Sequence, residues 1–577
     1  AENLQLMRSD DVMFFRPLGQ CGFSAPESNI EGVEGTVSEA AEAKPTATDA
    51  IVALFDGLPL ENHNAIKNRI IVDDPDEFAG LYRTGSEQSH GTAMASLILH
   101  GDGNNTDERP LSSPLYVRPI MAPCGPEWYD KRYEGIPEKI LPLDLIHRAV
   151  KRMFKGDDGG KATAPNVKVI NLSVCDRSRH FDRNMSPWAR MLDWLSHTHC
   201  VLFVVSAGNH YDNIELDMSA AEFDTLAVFE REKAIISAID KKRWSRRLFS
   251  PAESINAITV KSLHSDCAEE IDIPGIINPF CTLGMFSPIN PVTLGKANSI
   301  KPEILAPGGR VTYQYRPTSA EDPVVLKIVN TPKAFAPGHK VAIPSDAAGA
   351  INRYGYSAGT SNAAALTTRR VALLHETIKS MREFEKSGAL DKAPDSIILK
   401  ALVVHGAELP LDATGVCREV VLTEQNSRTY KNDQGQFFGY GKLDEQRIHA
   451  CAPNQATLIR TGCLTLGHSD TYAFPLPKCL SAKQEPRRLV ITLAWFSPIN
   501  SIHNEYGQAQ MWVSDAKQSS ELEFSDGDYY HHHQKKGTVF HEVIHGSKAS
   551  AFLEGTDLKL VVNCKSRAGG AGIDVPY

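Results

Sequence analysis

Five short runs of aliphatic and β-branched residues, at 51–55, 115–120, 167–174, 201–205 and 255–260, are apolar almost without interruption. A strand with one wet face alternates apolar and polar residues, because successive side chains point to opposite faces of the sheet. Near-continuous apolar runs instead suit strands covered on both faces, as in a parallel sheet between helices. The intervening sequence supplies the helices. Leu143, Ile146, Val150 and Met153 fall on one helical face. Ser186-Pro187 makes an N-cap and first-turn pair ahead of Trp188, Met191, Leu192 and Leu195. Strands alternating with helices predict an α/β fold on a parallel sheet.

After about residue 453 the helical periodicity stops. Strand-like runs at 456–464, 472–474, 489–495, 511–513, 539–544 and 558–562 are separated by polar turns. Such a series predicts an all-β sandwich or jelly-roll domain. At the other end, residues 1–30 carry short apolar patches, and 37–50 has the Ala, Glu and Thr content of a polar linker. A chain of 577 residues exceeds what one core usually supports. The expected organisation is an N-terminal segment and flexible linker over 1–50, an α/β domain over 51–453 and a β-domain over 454–577.

Composition narrows the class. A net charge of −9 argues against a dedicated nucleic-acid binder. The basic cluster Lys241, Lys242, Arg243, Arg246 and Arg247 reads as a solvated helix face. No apolar stretch approaches the ~20 residues of a membrane span, and no signal peptide opens the sequence. The eleven cysteines are odd in number and form no CxxC pair. Several sit in apolar runs, where a thiol behaves as a small hydrophobe, so reduced thiols and a bacterial cytoplasmic location are expected.

Three segments carry chemistry, and each is ambiguous alone. The run 51–55 ends in Asp56-Gly57; an acid at the carboxyl end of a parallel strand faces the crevice where ligands bind, yet an Asp there is more often a turn or cap residue. Ser89-His90-Gly91-Thr92-Ala93-Met94-Ala95 places a histidine before small residues that become helical; a lone histidine is more often structural. In Gly359-Thr360-Ser361-Asn362-Ala363 the serine sits where a helix begins, among free backbone N–H groups, a position an ordinary N-cap would share.

The order Asp56, His90, Ser361 is that of subtilisin. The segments resemble the catalytic signatures of the subtilase family, the S8 peptidases. Val204-Val205-Ser206-Ala207-Gly208-Asn209 is similar to that family's oxyanion strand, and Val169 to Ser173 to its substrate-pairing strand. Ala306-Pro307-Gly308 and Gly439-Tyr440-Gly441 match further landmarks, so the likeness spans about 50–453. It implies a subtilisin-like parallel sheet flanked by helices, and a serine endopeptidase with an Asp56-His90-Ser361 triad. Asn209 and the Ser361 N–H would hold the oxyanion, while Ser173, Val174, Cys175, Ser206, Ala207 and Gly208 bind substrate. The implied partner is a protein or peptide, with a regulatory protein as a further candidate; neither cofactor nor metal is expected.

Two departures from the family stand out. Asp56 precedes Gly57-Leu58-Pro59 rather than the frequent Ser/Thr-Gly pair, which points to altered surroundings of the acid. Cys175 stands where many relatives carry glycine, so the preferred cleavage residue stays open. Residues 210–254 and 310–354 read as insertions, either lids and exosites or peripheral decoration. The run Tyr529-Tyr530-His531-His532-His533 lacks spaced partner ligands and is not read as a metal site. A catalytically silent subtilase fold used for binding, and an esterase or transferase using the same triad, are the competing classes.

Overall fold

The computed structural model describes residues 32–35, 44–125, 132–157, 159–270, 272–345, 349–422, 429–449, 455–476, 478–514, 528–529, 531–548, 551, 556–570 and 572–577. Its centre is a nine-stranded sheet. In chain order the strands are β1 (Val52–Asp56), β2 (Ile70–Val72), β3 (Leu115–Pro119), β4 (Val169–Leu172), β5 (Leu202–Ser206), β6 (Ile258–Leu263), β7 (Ile304–Pro307), β8 (Ala407–Glu408) and β9 (Lys442–Leu443). The spatial order is β8-β9-β7-β6-β5-β4-β1-β3-β2. All neighbours run parallel except the edge pair β8 and β9.

The unbroken apolar runs are explained by burial on both faces. Ala53 and Phe55 of β1 point with Ile170, Leu172, Phe203 and Val205 toward two helices, α1 (Pro142–Lys155) and α2 (Pro187–His199). Val52 and Leu54 point the other way, against Ala93, Met94, Leu97 and Ile98 of the helix Ser89–His100. On that same side α3 (Thr360–Phe384) and α4 (Asp395–His405) cover Val169, Leu202, Val204, Ile258 and Ile304. Ser186 caps α2 as its sequence predicts, its hydroxyl accepting the Ala189 N–H at 3.0 Å.

The two insertions pair with each other. Ile214–Ser219 lies antiparallel to Pro323–Ile328, which continues through Tyr313–Gln314 to Ile276–Ile277. The helix Val228–Lys241 packs Ile235, Ile236 and Ile239 on this sheet, against Ile214, Leu216, Val324 and Leu326. The basic cluster after it is not a solvated face throughout. Arg246 is buried and donates Nη1 to the Pro288 and Asn290 carbonyls at 2.6 and 3.2 Å, because the turn is bonded to the 288–292 segment, where the buried guanidinium must find acceptors. Val33–Glu34 pairs antiparallel with Arg353–Ser357; residues 1–31 and 36–43, most of the expected N-terminal segment, lie outside the described residues.

Beyond residue 455 the described strands are all antiparallel. Cys463–Thr465 pairs with Asp574–Pro576, Ser469–Pro475 and Ala509–Ser514 flank Asp557–Ser566, and Arg487–Ala494 pairs with Val539–Gly546. They share a core of Leu464, Ile491, Leu493, Trp495, Met511, Phe540 and Val562. The strand expected at 456–464 forms only at its end. Upstream, Thr461 is drawn to the α/β part, its N–H and hydroxyl donating to the Ala389 carbonyl at 3.1 and 2.7 Å. The expected boundary at 453/454 lies outside the described residues.

Buried polar groups tie the β-region to the α/β part. Asn256 and Ser497 exchange two hydrogen bonds of 2.9 Å. Tyr506 donates to Asp193 Oδ2 at 2.6 Å, and Lys400 donates to Thr538 Oγ1 at 2.6 Å. Among the described residues no helix is long and apolar enough to cross a membrane. The nine described cysteines are all free thiols.

Candidate active site

The site forms at the carboxyl ends of the central strands. Asp56 closes β1, Ser206 closes β5, and Ser173 follows directly on β4. His90 is in the first turn of Ser89–His100 and Ser361 in the first turn of α3. Both helices start close to the strand ends because their first turns use small residues. A Cβ on Gly91 would lie 2.2 Å from the Gly57 carbonyl oxygen, so only glycine lets the histidine's helix reach the end of β1.

Asp56 Oδ1 is 2.6 Å from His90 Nδ1 and also accepts the Gly57 N–H at 2.7 Å. Asp56 is fully buried, and its Oδ2 has no hydrogen-bond partner among the described residues. Burial disfavours the charged imidazole. The charge and hydrogen bond of Asp56, with the charge of Glu134, outweigh that penalty and raise the His90 pKa above its ordinary value.

Ser361 Oγ lies 3.5 Å from the Ser173 carbonyl, and Ser173 Oγ in turn donates to Asn171 Oδ1 at 3.1 Å. Asn171 Nδ2 reaches Thr368 Oγ1 of α3 at 2.9 Å, so polar contacts from β4 seat the helix that carries the serine. Asn209 is oriented without ambiguity. Its Oδ1 accepts the Thr360 N–H at 3.0 Å and the Thr360 hydroxyl at 2.9 Å. A backbone N–H only donates, so the amide nitrogen must face the other way, where it donates to Tyr211 Oη at 3.0 Å.

One cavity of about 390 Å³ brings His90, Ser361, Asn209, Ser173, Cys175, Ser206 and Gly208 together. Val174 and Ala207 do not line it; their side chains are fully buried in the core against α1 and α2, leaving only their backbone for a ligand. Burial pushes the Cys175 thiol up to about 12, so it is not a thiolate at neutral pH. The second insertion supplies a wall through Ile328, Val329, Asn330, Thr331 and Pro332.

Among the lining residues that no sequence feature marked as candidates are Glu134, Tyr211 and Arg177. The Arg177 guanidinium sits over the Tyr211 ring, 5.5 Å from its centroid. None belongs to a motif; the unusual Gly57 was the one signal, and it concerned Glu134 only. Among the described residues no group of three His, Cys, Asp or Glu side chains is disposed to hold a metal.

A cavity lined by a histidine that is bonded from behind to a buried aspartate, a helix-start serine and an oriented amide is equipped for nucleophilic chemistry at a carbonyl. An uncharacterized protein, y4bN of Sinorhizobium fredii (strain NBRC 101917 / NGR234), is 24% identical over 349 residues, covering 60% of this chain and 70% of that protein. Among solved structures, the prenylagaramide maturation protease PagA aligns with a TM-score of 0.37 at 16% identity, over 71% of this chain and 94% of that one. The epidermin leader peptide processing protease EpiP of Staphylococcus aureus aligns at 0.35 and 14%, over 72% and 78%. The family model of the subtilases, peptidase S8, matches residues 48–442. The chain belongs to the subtilase family of serine peptidases.

Proposed function

We propose that this chain is a serine endopeptidase that cleaves proteins or peptides through an acyl-enzyme on Ser361. The 2.6 Å contact of buried Asp56 with Nδ1 of His90, whose ring lines one cavity with Ser361, carries this reading. With Nδ1 turned to Asp56, Nε2 is the nitrogen left to act as base. His90 takes the Ser361 proton as Oγ bonds to the scissile carbonyl carbon, then gives it to the leaving amine as the C–N bond breaks. Asp56 holds the ring and offsets its charge; water then releases the acyl group by the same route.

Two donors are available to the oxyanion. Asn209 Nδ2 gives one N–H to Tyr211 and keeps a second, and the Ser361 N–H belongs to a helix start whose first donors lack intrahelical partners. The substrate backbone would add as a strand beside residues 173–175, between Ser173 and Cys175 on one side and Ser206 and Gly208 on the other. The 454–577 unit, a β-sandwich in this reading, would recruit or position the substrate. The test is a serine-directed fluorophosphonate probe. Wild-type protein should be labelled and Ser361→Ala should not; labelling that persists in Ser361→Ala overturns the assignment. Comparing peptide with ester turnover separates a peptidase from an esterase.

A further inference from the structure

Glu134 is a carboxyl that the proposed reaction does not use, yet it stands inside the same site. It lies on a short hairpin in which Ala122–Cys124 pairs antiparallel with Tyr133–Gly135. The side chain is buried and touches two elements of the site. Its Oε2 accepts the backbone N–H of His90 at 2.7 Å, and its Oε1 lies 3.2 Å from the Tyr82 hydroxyl. The His90 N–H is at a helix start, where it has no intrahelical acceptor. The carboxyl therefore caps, from a distant hairpin, the turn that carries the imidazole.

The glycine after Asp56 is explained by the same side chain. Gly57 is not among the residues with positive φ, so its conformation does not call for glycine. Space does. A Cβ at Gly57 would lie 1.9 Å from Glu134 Oε1 and 3.2 Å from the Tyr82 hydroxyl. Residue 57 has given up its side chain, and a carboxyl from another strand fills the position.

The contacts of Tyr82 distinguish the two states of that carboxyl. Tyr82 Oη receives the Leu58 N–H at 3.0 Å and lies 3.1 Å from the Met121 carbonyl and 3.2 Å from Glu134 Oε1. A phenol has one proton to give, and a carbonyl only accepts. If Tyr82 donates to Met121, its contact with Glu134 is a hydrogen bond only when Glu134 is protonated. Neutral Glu134 satisfies all three contacts; the ionised form must take the Tyr82 proton away from Met121. Burial, opposed by the His90 charge and reinforced by that of Asp56, pushes the Glu134 pKa up to about 8, in the same direction.

We propose that Glu134 is a positioning residue of the active site, filling the place left by Gly57, anchoring the His90 backbone and linking its own ionisation to that of the imidazole. This rests on the catalytic reading of Asp56, His90 and Ser361. The groups facing Glu134 are Asp56 from β1, His90 from its helix, and Tyr82. The Glu87–Arg132 ion pair, Tyr133 and Cys124 lie on the adjoining turn and hairpin. When His90 is charged it favours ionised Glu134; when Glu134 is protonated it favours neutral His90. The two titrate as a pair rather than as independent sites.

The experiment has two arms on the full chain. In the first, the His90 ring is titrated by NMR in wild type and in Glu134→Gln, which keeps an acceptor for the His90 N–H and a donor for Tyr82 while losing the charge. The wild-type ring should show two coupled inflections, its own and a second as Glu134 ionises, and the variant only the first; a single inflection in both proteins overturns the linkage. In the second, the rate of fluorophosphonate labelling is compared in Gly57→Ser, Glu134→Ala and the double variant. Gly57→Ser should slow labelling by about 10²-fold, through displacement of the site, and the double variant should recover most of that loss. A double variant no faster than Gly57→Ser overturns the shared position. The NMR arm needs no activity, so unlabelled wild-type protein would sink the peptidase reading and leave this inference to be decided by the titration.

Discussion

The place a Cβ on Gly91 would take lies 2.2 Å from the carbonyl oxygen of Gly57. The end of β1 and the start of the histidine's helix therefore meet backbone to backbone, and this contact brings His90 Nδ1 to Asp56 Oδ1 at 2.6 Å. Gly91→Ala forces the helix away. The expected results are a stability loss of about 1–3 kcal/mol, as for overpacking of a close contact, and a larger proportional loss of probe labelling. Denaturant unfolding and labelling rates on the same samples check both.

Thr360 orients the Asn209 amide, so on the proposed mechanism removing it deletes an oxyanion donor that needs no reorganisation. Asn209→Ala should lower peptide turnover by about 10²–10³-fold with little change in KM; that range was set on a subtilisin, a member of this family. Steady-state kinetics on a peptide substrate measures it. Tyr211→Phe removes only the hydroxyl that accepts one of the two amide N–H groups and should leave the rate within about tenfold of wild type.

With His90 as the proposed general base, an acid limb of activity follows from its raised pKa. A general base must be neutral, so activity is present above the folded-state pKa and lost as pH falls through it. The midpoint of the limb in kcat/KM should stand above the ordinary histidine value of about 6.5. A pH profile of kcat/KM checks the sign; a midpoint below the ordinary value contradicts the structure.

Tyr506 gives its proton to Asp193 Oδ2 at 2.6 Å across the junction between the β-region and α2. Burial raises the Asp193 pKa, while donors from Ser254, Tyr506 and Asn256 pull it back. Tyr506→Phe strips one donor from a buried carboxylate and should cost about 1–3 kcal/mol. Thermal unfolding reads the loss, and limited proteolysis should show earlier cutting near the junction.

Much of this molecule is written locally. The apolar runs ending near Asp56 and Ser206 announced strands covered on both faces, and they form the centre of the sheet with only small shifts at their ends. The run at 255–260 slipped most, to Ile258–Leu263, because Asn256 is occupied in bonds with Ser497 and Asp193. Strands such as Ala407–Glu408 and Lys442–Leu443 are too short to carry a period and were not legible.

The amino-acid sequence by itself determined the α/β architecture and the order of its candidate residues, because side-chain alternation, helical periodicity and motif order are properties of neighbouring residues. It also marked Gly57 as unusual without saying why. Only the tertiary structure decided what fills that space: Glu134 arrives from a hairpin 44 residues beyond His90 in the chain. The structure likewise decided that the two insertions pair into a cavity wall, and that Val174 and Ala207 turn inward while Cys175 faces the cavity. Those outcomes depend on which distant segments compete for one volume, and close packing settles that only when the whole chain is in place.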